Sequence, residues 1–154
     1  MSSALYNREI LRLAASIPCH RRLAVADASA DRRSPTCGSR IIADVVLDEG
    51  GRIAGLGLDV RACALGQASA SLMASHAIGK SPAEMADAAK ALTAYLAAPD
   101  APDMADFWPG MEIFAAARHY PARHPSIRLG FETIAEAAGR ALAVKADKER
   151  EERA

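Results

Sequence analysis

The chain has 154 residues, 19 basic and 19 acidic side chains, and an apolar fraction of 51%. That length suits one domain with its own core, taken as residues 1–154, and the cancelled charge leaves no electrostatic footprint for nucleic acid or an anionic membrane surface. No apolar run approaches the ~20 residues of a membrane span, and Arg8, Glu9 and Arg12 interrupt any apolar core of a signal peptide, so cytoplasm is the expected compartment.

Residues 4–17 read as a first helix, with Leu5, Ile10, Leu13 and Ile17 as its apolar stripe and Pro18 as its stop. Cys19 and His20 follow. Neighbours in sequence seldom point at one ion, so the pair reads as a helix-end turn rather than a metal pair. Leu23-Ala24-Val25-Ala26 reads as a short edge strand, and residues 27–34 as a polar loop. The charges Asp31, Arg32 and Arg33 in that loop suit a solvated surface or a partner.

The stretch 35–71 organises the rest. Pro35-Thr36-Cys37-Gly38-Ser39-Arg40 is a tight cysteine turn. The runs Ile41–Leu47 and Arg52–Val60 are strand-like, and Gly50-Gly51 between them reads as a two-residue hairpin turn. In that register opposite residues have numbers summing to 101, so Ile41 faces Val60, Ala43 faces Leu58 and Val45 faces Leu56, all on one face. Cys37 and Cys63 then lie at one end of the hairpin. A three-residue turn would shift the sum to 100 and set the two thiols directly opposite; the sequence leaves both registers open.

A small-residue helix follows Cys63 through Gln67-Ala68-Ser69-Ala70-Ser71 to about Ile78, with Gly79 as its stop. Ser81-Pro82-Ala83-Glu84 is a capping box with proline at the first helical position. It opens a helix that runs through Leu92, Tyr95 and Leu96 to Pro99. Residues 99–103 are a surface linker, Phe107 and Trp108 are anchors, and residues 110–118 form a short helix. His119–Ser126 is a turn. The last helix has Ile127, Phe131, Ile134, Ala138 and Leu142 as its inner face and a mixed-charge tail from about residue 145. His76 and His119 read as surface or core-edge residues.

Four stretches, in order along the chain, carry a resemblance: Leu5-Tyr6, Pro35-Thr36-Cys37-Gly38-Ser39, Cys63 with Gln67-Ala68-Ser69-Ala70-Ser71, and Tyr120-Pro121-Ala122-Arg123. Together they resemble the NifU/IscU/SufU family of iron–sulfur cluster assembly scaffolds, with the SufU-like branch the most similar. The resemblance implies an α+β fold, a small three-stranded antiparallel sheet with helices packed on it. It also implies a ligand site at one end of that sheet. Cys37 and Cys63 match the family's first two ligand cysteines. Ser39 stands at the aspartate position and Ser126 at the third cysteine position. Pro125 stands where the IscU branch often has histidine, with His124 one residue before it.

Two thiolates fall short of the four soft donors that iron–sulfur clusters generally take. His124 offers a neutral imidazole nitrogen as a third ligand. Ser126, a harder donor, occupies a family ligand position but suits helix capping better, and Ser39 suits a turn. Three functions follow from the resemblance. The first is a scaffold or carrier that holds iron and a transient iron–sulfur cluster through Cys37 and Cys63. Its partners would be a cysteine desulfurase and apo-protein acceptors, and two copies of the chain would bridge one cluster. The second is a zinc-dependent sulfur acceptor from a desulfurase, with Cys37 carrying a persulfide and Arg40 favouring its thiolate. The third is a degenerate interaction or regulatory homologue without metal. A turnover enzyme is not expected, because no His/Asp pair at a recognisable spacing accompanies Cys37 or Cys63.

Overall fold

The structure, a computed structural model, describes residues 5–35 and 38–153. Its elements in chain order are α1 (Arg8–Ala15), β1 (Ala28–Arg33), β2 (Arg40–Leu47), β3 (Ile53–Arg61), α2 (Ala64–Ala77), α3 (Pro82–Ala97), 3₁₀ segments at Met111–His119 and Pro121–Arg123, and α4 (His124–Arg153). The strands form one antiparallel sheet in the order β1-β2-β3. This is the expected α+β architecture.

Helix α1 is shorter than its apolar stripe suggests. The Asn7 side chain accepts the Ile10 N–H at 2.9 Å, which fixes the N-cap and excludes Leu5 from the helix. At the other end Ser16 is the cap, because a residue just before a proline is steered out of helical geometry and Ile17 precedes Pro18.

The β2–β3 register sums to 101 from Arg40↔Arg61 through Val46↔Gly55, as expected. The turn differs. Leu47 pairs with Ile53, a sum of 100, and a bulge at Val46/Leu47 reconciles the two registers. Gly51, at φ +79°, supplies the left-handed residue of this wider turn.

The edge strand is not where the sequence suggested. Leu23–Ala26 is irregular, and Val25 is 82% exposed. The strand is Ala28–Arg33, inside the expected loop. It needs little apolar surface of its own, since only Ala30 is fully buried. Its alternating charges suit an edge. Asp31 takes a two-pronged hydrogen bond from Arg40 of β2, and Arg32 pairs with Glu136 of α4.

One sheet face, carrying Ala30, Ile41, Ala43, Val45, Leu47, Leu56, Leu58 and Val60, is buried against the helices. Helix α4 lies across β1 and β2, α2 and α3 pack on α4, and α1 packs on α2. Small residues let α2 and α4 approach closely: a Cβ on Gly130 would sit 3.3 Å from the Ala70 Cα. Ser69 joins the two helices by donating to the Ile127 carbonyl at 2.6 Å. Trp108 is buried, donates to the Leu72 carbonyl at 3.0 Å and meets Phe131 edge-on at 5.0 Å. The capping box at Ser81 and Glu84 forms as read.

The inner face of α4 corrects one expected residue. Ile127, Phe131, Ile134, Ala138 and Ala141 continue one stripe at alternating spacings of four and three, whereas Leu142 lies off it and is 45% exposed. The short helix expected at 110–118 is the 3₁₀ segment Met111–His119, and the expected turn after it is largely helical, with a 3₁₀ turn at Pro121–Arg123 and α4 beginning at His124. The charged tail is helical and solvated through Arg153.

The other sheet face is crossed by a strap, residues 19–23. The Leu58 N–H donates to the Cys19 and Arg21 carbonyls, and the Val60 N–H donates to His20 Nε2 at 3.2 Å. Gly57 is small because the strap lies on it: a Cβ there would stand 2.6 Å from the Arg21 carbonyl oxygen. The strap is pinned by Asp44 of β2. That carboxylate is 1% exposed and accepts from Arg22 at 2.8 and 2.9 Å, from the Leu23 N–H at 2.9 Å and from the Ser29 hydroxyl at 2.6 Å.

Candidate functional site

Sheet topology decides which residues meet. Arg33, Arg40 and Arg61 stand opposite one another across the three strands, so the β1–β2 loop and the β3–α2 junction leave the same end of the sheet. The loop is closed across its base: Ser34 N–H donates to the Ser39 carbonyl at 2.8 Å, and Gly38 N–H, at φ +72°, donates to the Ser34 carbonyl at 3.0 Å. Cys37 belongs to this loop but lies, with Thr36, outside the described residues. Cys63, two residues beyond the end of β3, is the N-cap of α2 and is partly exposed.

The first turn of α4 reaches the same place. The Ser126 hydroxyl lies 3.1 Å from the Cys63 sulfur and 3.5 Å from the Ser39 hydroxyl. Ser126 and Ser39 are both buried. Gly66 makes room for this meeting: a Cβ there would fall 2.5 Å from the Ser126 oxygen and 2.8 Å from the Ala62 Cβ. Three separate segments thus put one sulfur and two hydroxyl oxygens side by side. Ser126 does not cap α4, because the helix begins two residues earlier.

His124 points elsewhere. It is buried, and its Nε2 stands 2.7 Å from the Ala117 carbonyl in the preceding 3₁₀ segment. A carbonyl only accepts, so Nε2 carries the proton and a metal bond from this ring would have to use Nδ1. Arg40 is engaged with Asp31, whose carboxyl is held below the usual aspartate range chiefly by that hydrogen bond. Cys19 is exposed at φ +60° on the strap, and His20 beside it accepts from β3. His76 is exposed and meets Trp108 edge-on, and His119 is exposed. Among the described residues no three His, Cys, Asp or Glu side chains are grouped to hold an ion, and no helix is long and apolar enough to cross a membrane.

Gly66 and the joining of Ser39 to Ser126 escaped the sequence reading. The one signal available was that both serines occupy ligand positions of the resembled family.

The donor set tests what could be held. Iron–sulfur clusters and zinc favour thiolate and imidazole. One chain offers Cys63 and Cys37 as sulfur donors, with hydroxyls where further soft donors would be needed. Among the described residues the set falls short of a closed soft-donor site within one chain.

No family model matches the sequence, and no curated protein matches it. Solved structures do. One is the N-terminal part of a nitrogen-fixing NifU-like protein from Brucella abortus, 31% identical to this chain, with a TM-score of 0.83 over 92% of this chain and 97% of that one. Another is a putative iron–sulfur cluster assembly scaffold protein for the SUF system from the thermophile Fervidobacterium islandicum AW-1, at 20% identity and a TM-score of 0.80, covering 90% of this chain and 99% of that one. A hypothetical protein matches at 24% identity and a TM-score of 0.76, covering 89% and 98%. These last two speak for the fold alone. The first carries identity as well as fold over nearly the whole of both chains, and this protein belongs to the NifU/IscU/SufU-type family.

Proposed function

We propose that the protein is a scaffold or carrier for iron–sulfur cluster assembly, with Cys37 and Cys63 as its soft donors and the cluster as cargo. The observation that carries the reading is the meeting of Cys63, Ser126 and Ser39 at 3.1 and 3.5 Å, at the end of the sheet where the Cys37 loop closes. Hydroxyls ionise far less readily than thiols and suit iron less well, so the site grips weakly and releases easily. Two copies would supply four thiols, two from each chain, and share one cluster. Sulfur would arrive from a cysteine desulfurase, and the loaded cluster would pass to apo-protein acceptors. In this role the protein is no turnover enzyme, and its expected compartment is the cytoplasm. His124 would enter as a ligand only through Nδ1, since Nε2 is engaged with the Ala117 carbonyl.

Anaerobic reconstitution with ferrous iron and sulfide tests this. The expected result is visible cluster absorbance in a species of twice the chain mass, lost in Cys37→Ala and in Cys63→Ala. Full loading of a monomer would sink the shared cluster.

The shortage of soft donors within one chain favours a second reading, a sulfur acceptor. A thiolate of Cys37 would attack the outer sulfur of a desulfurase persulfide. The sulfur–sulfur bond breaks, its electron pair stays on the desulfurase thiolate, and the persulfide moves to Cys37. Metal analysis of protein purified without oxygen separates the two. One zinc per chain and no acid-labile sulfide would favour this second reading.

A further inference from the structure

The face of the sheet turned away from the helices carries an arrangement that cluster chemistry does not use. Directly opposite residues in an antiparallel sheet project to the same face. The pairings Arg33↔Arg40 and Arg40↔Arg61 therefore line up three arginines in one row across all three strands. Opposite Cα atoms are about 5 Å apart, so the row spans about 10 Å. It lies on the outer face, since Ile41 and Val60 beside it are buried on the inner one. Arg33 is exposed, the Arg61 side chain is 74% exposed and that of Arg40 is 35% exposed.

The next row inward is Asp31, Ile42 and Asp59. Asp31 pairs with Arg40, and Asp59 stands 3.7 Å from Arg61. One row further in, Asp44 is matched by Arg22. Four arginines thus face three aspartates, and the excess positive charge sits on the outermost row. Like charges directly opposite one another weaken a sheet. Three in a row are unfavourable for the fold alone, in a chain whose overall charge is zero. The row also lies beyond the strap, which meets β3 at Gly57, Leu58 and Val60 and β2 at Asp44.

We propose that this arginine row is a docking surface for an acidic segment of a partner protein. The proposal rests on the scaffold reading in one respect: whatever delivers sulfur or receives the cluster must come to this end of the sheet, where Arg61 is two residues from Cys63 and Arg40 opens the strand that follows the Cys37 loop. An acidic polypeptide fits better than nucleic acid, because the positive patch is one row wide and the rest of the chain carries more acidic than basic residues. Guanidinium forks bind carboxylates two-pronged, as Arg40 already does with Asp31.

The test uses the full chain without cluster, under reducing conditions, and a fluorescein-labelled peptide of ten glutamates followed by anisotropy at low salt. Binding should weaken as salt rises past about 0.1 M, where screening acts within about 10 Å. The Arg33→Glu/Arg61→Glu protein should bind about tenfold more weakly, and Arg33→Lys/Arg61→Lys should keep most of the affinity. Amide resonances that move on titration should centre on residues 33, 40 and 61. Should the reversed-charge protein fail to fold by circular dichroism, Arg33→Gln/Arg61→Gln takes its place with a smaller loss expected. Equal binding by the parent and the variant overturns the proposal. So does tighter binding of single-stranded DNA of equal charge, or a dimer of the parent that the variant breaks. Cluster loading is measured separately on the same proteins. If the parent does not load, the scaffold reading falls and the peptide result stands by itself.

Discussion

Two buried polar clusters lie on this small sheet, and they are built in opposite ways. At Asp44 a full charge is sunk to 1% exposure and answered by Arg22, the Leu23 N–H and the Ser29 hydroxyl. At Cys63 two hydroxyls and a sulfur meet at 3.1 and 3.5 Å. The first cluster uses its polar capacity to hold the strap on the sheet. The second joins its groups through longer hydroxyl and sulfur contacts, which are weaker than charged hydrogen bonds. A cluster of that kind can exchange its partners, which suits a site that takes up and gives away cargo.

The comparison can be broken by substitution. Gly57→Ala forces a Cβ to within 2.6 Å of the Arg21 carbonyl and 2.7 Å of the Leu23 nitrogen. Backbone cannot swing aside as a side chain can, so a loss of about 3 kcal/mol is expected in urea unfolding. Asp44→Ala leaves the Leu23 N–H and the Ser29 hydroxyl without their acceptor while Arg22, half exposed, returns to water. The expected loss is about 2 kcal/mol. A loss of only a few tenths would mean that the strap is held by packing alone.

Gly66→Ala sharpens the other side. Its Cβ would meet the Ser126 oxygen at 2.5 Å and the Ala62 Cβ at 2.8 Å. A cost of about 1–2 kcal/mol is expected, with part of it recovered when Ser126→Ala is added. No recovery would place the crowding at Ala62 instead. Ser126→Cys places a thiol beside Cys63, and the chain should then retain more zinc or ferrous iron through dialysis than the parent does.

The smallest effect is the dependence on acid. Burial alone would push the Asp44 carboxyl up. The hydrogen bonds from Arg22, Ser29 and Leu23, with the charge of Arg22, outweigh it and hold the group below the ordinary aspartate range. A carboxyl held low contributes stability above that ordinary range and loses it as pH falls through the folded value. The parent should therefore weaken below about pH 4, and Asp44→Asn should show a shallower fall in unfolding curves taken between neutral pH and acid.

Local pattern was enough to determine the two strands of the β2–β3 hairpin, the capping box at Ser81 and the proposal of Cys37 and Cys63 as soft donors. Each depends on residues close in sequence: alternation along two strands, an N-cap with its N3 glutamate, and a motif on one hairpin. Tertiary structure alone decided the rest. The edge strand Ala28–Arg33 is held by β2 and α4 rather than by apolar residues of its own, so its sequence looks like loop. Leu142 is exposed because the stripe of α4 continues through Ala141. The strap over Gly57, the turn of His124 toward Ala117 and the meeting of Ser126 with Cys63 and Ser39 all join segments far apart in the chain. Such contacts arise from how the helices and the sheet close on one another, and no local spacing encodes them.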